Sequence, residues 1–224
     1  MDFVFQDEAL ITDCHVHIAP IEMFQPAALA LMKNKRPNYD QIVEYCRHPK
    51  SFLKYLDGCG IDRAVLINYV APEVIGFTSA VNQWVADYVK ENPKRLISCG
   101  GLHPRTSQNI LADVEQILTL GIRMIKIHPP HQLLFPNDYQ NGVKELEIIY
   151  RAAEANGIPV MFHTGTSIFP GARNKYGDPK NHRRPPTDNS GRQGGVDSDS
   201  RRQLNRSVAV AHQNGTEQSS AVEQ

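Results

Sequence analysis

Short apolar runs rich in β-branched residues alternate with amphipathic stretches along the first 178 residues of the chain. Such runs are typical of strands that are covered on both faces, and here they occupy residues 10–18, 64–69, 95–101, 122–128 and 158–163. Apolar residues at helical spacing predict helices over 23–33, 51–59, 79–91, 108–120 and 143–156. Repeated strand–helix units of this length predict a parallel α/β sheet, either a closed barrel or an open doubly wound sheet.

Glycines and strand ends add detail to this pattern. Gly121 and Gly157 each stand between a predicted helix and the next strand, where a left-handed helix cap is expected. No glycine-rich phosphate loop follows any strand, which removes the main signal for a nucleotide-binding open sheet. Histidines instead follow or end several different strands, an arrangement that favours a barrel: His15, His17, His103, His128 and His163.

The composition changes sharply after Asp178. The segment 179–224 has no aromatic residue and a single leucine, Leu204, so it lacks the apolar surface needed to offset the entropy of ordering. We therefore expect a partial barrel domain over 1–178 and a disordered tail over 179–224. The run 207–212 has some strand character, but its isolation among polar residues disfavours a sixth strand that supplies a ligand through His212.

Charge and targeting signals exclude several classes of function. The 224 residues carry a formal net charge of +0, which gives no support for a nucleic-acid partner or a membrane surface. The amino terminus is acidic and no apolar run has membrane-spanning length, so we expect a cytoplasmic protein. The four cysteines lack a Cys-x-x-Cys pair and are expected to be reduced. A small-molecule substrate is the expected partner, and a homo-oligomer is left open.

The first strand carries the most informative motif, Thr12-Asp13-Cys14-His15-Val16-His17. Side chains alternate along a strand, so His15 and His17 share one face with Asp13. Two imidazoles on one rigid strand are half of a divalent metal site, whereas an isolated pair of this kind is also compatible with solvated histidines at a strand end. His163 ends the fifth strand and in a barrel faces the same cavity, where three imidazoles would hold a cation and leave positions for water.

Three motifs together resemble the amidohydrolase superfamily. They are Thr12 to His17, Ile125-Lys126-Ile127-His128-Pro129-Pro130, and Val160-Met161-Phe162-His163-Thr164-Gly165, in the family's order and at compatible spacing. The nearest likeness is the amidohydrolase-related branch, which includes decarboxylases similar to aminocarboxymuconate-semialdehyde decarboxylase. The resemblance covers roughly residues 11–178.

This resemblance implies a (β/α)8 TIM-barrel type of fold, here incomplete with about five βα units, and a divalent metal that is most often zinc. His15, His17 and His163 are then the expected metal ligands, and Asp13 is a supporting carboxylate that orients the histidine pair. The branch also takes an aspartate ligand from its eighth strand and a catalytic histidine from its sixth. Neither is recognisable here, so the chain resembles a family member truncated after the fifth strand, and its catalytic residue stays unassigned.

Three further residues are candidates for substrate binding: Arg105, Lys126 and His128. Arg105 follows the third strand and would hold a carboxylate, while a solvated loop is the alternative. Lys126 and His128 lie two apart on the fourth strand. For Lys126 an ion pair or a substrate acid is simpler than the carboxylated lysine of some superfamily members, and for His128 substrate contact and a solvated turn are both open.

The resemblance implies a metal-dependent hydrolase, in which the cation lowers the pKa of water and polarises an amide, ester or lactone carbonyl. Two alternatives remain. One is a metal-dependent decarboxylase of an unsaturated carboxylic acid, and the other is a noncatalytic remnant that lacks the closing residues.

Overall fold

A computed structural model describes residues 10–179 and the two-residue strand at 208–209, and there it contains one parallel sheet with helices packed against it. The strands are β1 (Thr12–Val16), β2 (Arg63–Ile67), β3 (Leu96–Gly101), β4 (Met124–Ile127), β5 (Val160–Phe162) and β6 (Val208–Ala209). The helices are α1 (Pro26–Lys35), α2 (Tyr39–Arg47), α3 (Pro49–Gly58), α4 (Ala80–Val89), α5 (Ile110–Thr119), α6 (Pro129–Gln132) and α7 (Lys144–Ala155). Short 3₁₀ turns cover Ile21–Met23, Asp138–Asn141 and Asn174–Gly177.

The order of the strands decides between the two predicted architectures. Each strand pairs in parallel with its neighbours in sequence, giving the spatial order β1-β2-β3-β4-β5-β6. A doubly wound sheet reverses its strand order at a switch point, and this sheet does not. The result is a curled half-barrel of the (β/α)8 type, which confirms the predicted fold class.

The outer face of the half-barrel is the larger apolar core. It joins inward-facing helix residues to alternate strand residues, such as Leu56 of α3, Val85 of α4 and Ile117 of α5 with Leu66 of β2 and Ile125 of β4. Every one of these side chains is at most 2% exposed. This packing fixes the strands against the helices and therefore fixes where the strand ends lie.

The inner face of the sheet carries a second apolar cluster. Val65 and Ile67 of β2, Cys99 of β3 and Met161 of β5 lie on it, and the loop after β2 covers it with residues such as Phe77. Lys126 is paired in register with Met161. It therefore shares the inner face, because paired residues on neighbouring strands point the same way.

Two helices were not predicted from the sequence. The short helix α2 presents the buried Cys46 to the core, and α6 begins with Pro129 and Pro130 where a loop was expected. Proline is compatible with the first turn of a helix because its missing N–H has no partner there. The expected caps at Gly121 and Gly157 are confirmed by φ angles of 65° and 63°.

The predicted tail, residues 179–224, is described only at Pro179 and at Val208–Ala209. Val208 and Ala209 pair in parallel with Val160 and Met161 of β5, so the structure places a sixth strand where the sequence disfavoured one. The rest of the tail predicted to be disordered, including His212, lies outside the described residues. In the described part of the chain, no helix has the length and apolar character needed to cross a membrane.

A candidate metal centre at the carboxyl ends of the strands

The predicted site residues gather at one end of the half-barrel. His15 lies in β1 and His17 just beyond it, Lys126 lies in β4, and His163 directly follows β5. Parallel strands all end at the same edge of the sheet, which is where active sites form in barrels of this class. The fold therefore brings residues from three separate strands to one region.

His15 and His17 converge at their ring nitrogens. Their Nε2 atoms are 3.2 Å apart and the ring centroids are 5.1 Å apart. The register of β1 against β2 shifts between Asp13 and Val16, so β1 is irregular at the histidine pair. The Asp13 carboxylate accepts a hydrogen bond of 2.9 Å from the backbone N–H of His15 at this irregularity. In the described residues Asp13 thus holds the backbone, and no hydrogen bond joins it to either imidazole.

The separation of the two nitrogens fits a shared cation. Zinc–nitrogen bonds of about 2.0–2.1 Å in tetrahedral geometry place two ligand nitrogens about 3.3 Å apart. Without a metal, a contact of this length needs one ring to carry hydrogen at Nε2 and the other to accept it. A divalent cation would take the place of that hydrogen.

His163 supplies the third candidate nitrogen. Its Nε2 is buried and has no hydrogen-bond partner among the described residues, as expected for an atom meant to bind a ligand. Burial, the positive charge of Lys126 and the nearby His15 lower the pKa of His163 to about 4, and a hydrogen bond to the Thr166 backbone partly opposes this. Within residues 10–179, however, no three His, Cys, Asp or Glu side chains are close enough together to hold a metal ion.

The other two histidines are also neutral at physiological pH. Burial first, then the positive charge of Lys126, lowers the pKa of His15 to about 4. Desolvation by the surrounding protein atoms lowers the pKa of His17 further, to about 3, although the residue as a whole is exposed. His15 and His163 become protonated before His17 as the pH falls, and their positive charge adds to this shift together with that of Lys126 and Arg36. Neutral imidazole is the form that binds metals, so the electrostatics suit the proposed ligands.

Lys126 is a buried amino group with no partner. The residue is 1% exposed, and its Nζ has no hydrogen bond within the described part of the chain. Burial lowers the pKa of Lys126 to about 8, with a small opposing effect from Cys99. The amino group is therefore mostly charged at pH 7 and is available to an anion that enters the site.

A stack of flat rings lies beside His163. The centroid of the His128 ring is 4.0 Å from the ring centroid of His163 and 3.7 Å from that of His131, and the interplanar angles are 12° and 25° respectively. Tyr69 stacks on His128 at 4.7 Å, and its hydroxyl lies 3.1 Å from His131 Nδ1. The close approach of Tyr69 needs Gly101 at the end of β3, since a Cβ there would lie 2.6 Å from Tyr69 Cα.

Arg105 lies apart from this cluster. Its guanidinium is 3.7 Å from the Asp138 carboxylate, and its backbone N–H donates to His103 Nδ1. His103 lines a separate cavity of about 370 Å³ between the loops that follow β2 and β3. The sequence grouped both residues with the strand-end site, whereas the described contacts of Arg105 join it to Asp138 and His103 and to none of His15, His17 and His163.

Comparison with known families identifies the chain. The profile of the amidohydrolase family matches residues 12–201, which is most of the sequence. The chain belongs to the amidohydrolase family. Curated protein sequences give no match.

Solved structures similar to this amidohydrolase have the same fold. An uncharacterised TIM-barrel protein from Bordetella bronchiseptica is 18% identical, with a TM-score of 0.58, and the match covers 90% of this chain and 66% of that one. A 5-carboxyvanillate decarboxylase from Sphingomonas paucimobilis is 18% identical, with a TM-score of 0.51 and coverage of 70% and 52%. A 5-carboxyvanillate decarboxylase from Novosphingobium aromaticivorans, solved with manganese, is 15% identical, with a TM-score of 0.53 and coverage of 78% and 55%.

The amidohydrolase chain spans about half to two thirds of the length of these structures.

Three residues near the site were not singled out from the sequence: Tyr69, Ser167 and Arg36. Tyr69 lies two residues beyond β2, at the same end of the sheet as the histidines, so the strand-end rule offered a signal for it. No local sequence pattern identifies Ser167 as a residue near the site, because its hydrogen-bond partner His131 is 36 residues away in the sequence.

Proposed function

We propose that this amidohydrolase is a divalent-metal-dependent hydrolase that acts on a small molecule bearing a carboxylate. The observation that carries the proposal is the convergence of His15 Nε2 and His17 Nε2 beside the unpartnered amino group of Lys126. A cation and an ammonium group together give the site a strong positive charge. In the described residues no carboxylate pairs with Lys126, so an acidic substrate would balance that charge.

Each side chain then has a distinct task. His15, His17 and His163 would hold the cation through Nε2, and Asp13 fixes the β1 backbone from which the first two project. The Lys126 ammonium would bind the substrate carboxylate and so set which end of the substrate faces the histidines. His128 stacks between His163 and His131, so it would contact a substrate only through the edge of its ring.

A divalent cation in this position supplies a Lewis acid that polarises a carbonyl and makes water a stronger nucleophile. The chain's own contribution is orientation. Lys126 and the histidines lie on one rigid sheet, so the substrate is held with little loss of freedom when it reacts. We expect zinc by analogy with the superfamily, while manganese is the metal named for one structural relative.

Decarboxylation of an unsaturated acid is the second candidate. Lys126 favours it as well, because loss of carbon dioxide leaves an electron pair that conjugation carries to an oxygen atom. An ammonium beside that oxygen stabilises the developing charge. The names of two structural relatives, both 5-carboxyvanillate decarboxylases, agree with this alternative.

Product analysis separates the two reactions. The full chain, loaded with zinc or manganese, is incubated with conjugated carboxylic acids and with carboxylate-bearing lactones and esters. Each lactone or ester is compared with the same compound in which the free carboxylate is methylated. A hydrolase forms the ring-opened or cleaved acid, whereas a decarboxylase releases carbon dioxide. The proposal predicts that the carboxylate-bearing lactones and esters react and their methylated counterparts do not, and that Lys126→Met abolishes this preference. Lys90→Met changes an exposed lysine and is the matched control.

A preference unchanged in Lys126→Met would contradict the role of Lys126. Metal binding without turnover of either class would favour the third reading, a chain that binds metal but does not catalyse.

A further inference from the structure

His131 is held at both ring nitrogens. Its Nδ1 lies 3.1 Å from the Tyr69 hydroxyl and its Nε2 lies 2.6 Å from the Ser167 hydroxyl. A neutral imidazole has one donor and one acceptor nitrogen, and hydroxyls can play either part, so both bonds can form together. His131 is 2% exposed, which leaves its ring little room to rotate.

This fixed ring is the base of a stack that reaches the proposed metal ligand. The His128 ring lies between those of His131 and His163, with centroid distances of 3.7 Å to His131 and 4.0 Å to His163. The Nδ1 of His128 has no hydrogen-bond partner in the described residues. The orientation of the His128 ring therefore depends on the rings on either side of it.

Three separate parts of the chain meet in this arrangement. Tyr69 follows β2, His131 belongs to α6, and Ser167 follows His163 in the loop after β5. Ser167 is itself anchored, because its backbone N–H donates to Asn174 Oδ1 at 2.8 Å. The hydroxyl groups of Tyr69 and Ser167 thus tie the stack to the loops around it.

We propose that Tyr69 and Ser167 act as positioning residues, which fix the orientation of the His163 ring through His131 and His128. The significance of that orientation for metal binding rests on the proposed function. The physical reason is that a metal ligand loses less freedom on binding when its ring is already aimed. The competing explanation is simple packing, in which the ring faces alone hold the stack and the two hydroxyls contribute nothing to its geometry.

A double variant tests the hydroxyls without disturbing the packing. Tyr69→Phe with Ser167→Ala removes both hydrogen-bond partners of His131 and keeps the aromatic ring of residue 69. The matched control is Tyr150→Phe with Ser98→Ala. This control removes the Tyr150 hydroxyl, which donates to the Pro136 carbonyl, and the Ser98 hydroxyl, which donates to the Gly121 carbonyl. Neither hydroxyl contacts the histidine stack.

Two readouts are taken on the full-length variants. The first is the affinity for zinc, from competition with a chelator, together with the absorption spectrum of the cobalt-substituted protein. We expect the double variant to bind zinc about 10-fold more weakly or worse and to show an altered cobalt spectrum, with the control unchanged. The second is the ring signals of His163 in the metal-free protein by NMR, which we expect to shift in the double variant and not in the control.

The outcomes distinguish this inference from the proposed function. If wild type binds zinc and the double variant binds it equally well with an unchanged cobalt spectrum, the positioning role is overturned and the metal site stands. If wild type binds no zinc, the proposed function fails, and the His163 ring signals alone decide the inference. Signals that stay unchanged in the double variant overturn it, and a shift absent from the control supports it.

Discussion

Among the single residues, Lys126 has the most unusual surroundings. A lysine side chain that is 1% exposed is rarely left without a partner, because burying an unpaired charge is costly. Its pKa falls only to about 8, so the charge persists at neutral pH and acts on the neighbouring imidazoles. The positive charge of Lys126 contributes to the lowered pKa values of His15, His17 and His163.

Replacing that charge should change the titration of the histidines. Lys126→Met keeps most of the length of the side chain and removes its ammonium group. Since a nearby positive charge disfavours imidazolium, we expect the pKa values of His15 and His163 to rise in the metal-free variant. NMR titration of the ring signals measures this. Lys90→Met should leave both values unchanged, and equal values in Lys126→Met and wild type would refute the electrostatic link.

His131 should make stability depend on pH. Burial first, and then the nearby His163, lowers the pKa of His131 to about 3, below the ordinary value of 6.5. The unfolded chain therefore binds more protons than the folded chain between about pH 3 and 6.5, and the free energy of unfolding falls as the pH drops through that range. One such histidine contributes at most about 1.4 kcal/mol per pH unit.

Urea unfolding at pH 7, 6 and 5 measures this slope. We expect His131→Phe to give a shallower dependence than wild type, while His48→Gln, which changes an exposed histidine, keeps the wild-type slope. Identical slopes for wild type and His131→Phe would show that His131 does not titrate differently in the two states.

At the scale of elements, α6 connects the strand ends around the site. Gln132, at its last position, donates from Nε2 to the carbonyls of Val70 and Leu102, both at 2.9 Å, and accepts from the backbone N–H of His128 at 3.1 Å. Gln132 is 1% exposed. One side chain thus satisfies buried backbone groups in the segments that follow three neighbouring strands.

Gln132→Leu should therefore destabilise the protein strongly. Three buried backbone groups lose their partner, at about 1–3 kcal/mol for each unsatisfied group, so we expect a loss of roughly 3 kcal/mol or more in the free energy of unfolding. Urea denaturation followed by circular dichroism measures it. Gln83→Leu changes an exposed glutamine and should cost far less. A loss below about 1 kcal/mol would mean that these groups find other partners.

The sequence predicted the elements that have strong periodicity and missed those that depend on distant contacts. Strands β1 to β5, and the histidines that follow or end four of them, were predicted from apolar runs that end at a polar residue, whereas β6 was not. The helix α6 was missed because two successive prolines suggest a loop, although both stand in its first turn. The contacts of Gln132 and the link between His131 and Ser167 join residues far apart in sequence, which no local pattern reveals.

For the molecule as a whole, the outer face of the half-barrel packs against the helices as the larger core, and the inner face carries the second apolar cluster together with Lys126. The strands are parallel and consecutive, so all of their carboxyl ends lie on one rim of the sheet. This topology alone brings residues from β1, β4 and β5 to the same rim, whatever the conformation of the connecting loops. The converging ring nitrogens of His15 and His17 lie on this rim. A metal bound there would connect β1 to β5 across the half-barrel.

A cation that joins these strands should stabilise the fold. Zinc that binds the folded chain and not the unfolded chain raises the free energy of unfolding by about 2.7 kcal/mol at a concentration 100 times its dissociation constant. Thermal unfolding with zinc and with a chelator measures the difference. We expect His163→Ala to reduce it, because that variant removes the ligand from β5. An equal zinc effect in His163→Ala and wild type would exclude His163 from the site.

The most direct test of the account is the metal content of the purified full-length protein, measured after dialysis against zinc or manganese. With His15, His17 and His163 as ligands, wild type should hold about one divalent ion per chain. His15→Ala and His17→Ala should each lose it, and His48→Ala, at an exposed position outside the site, should retain it. Stoichiometric metal that persists in both His15→Ala and His17→Ala would contradict the assignment of this pair as the metal centre.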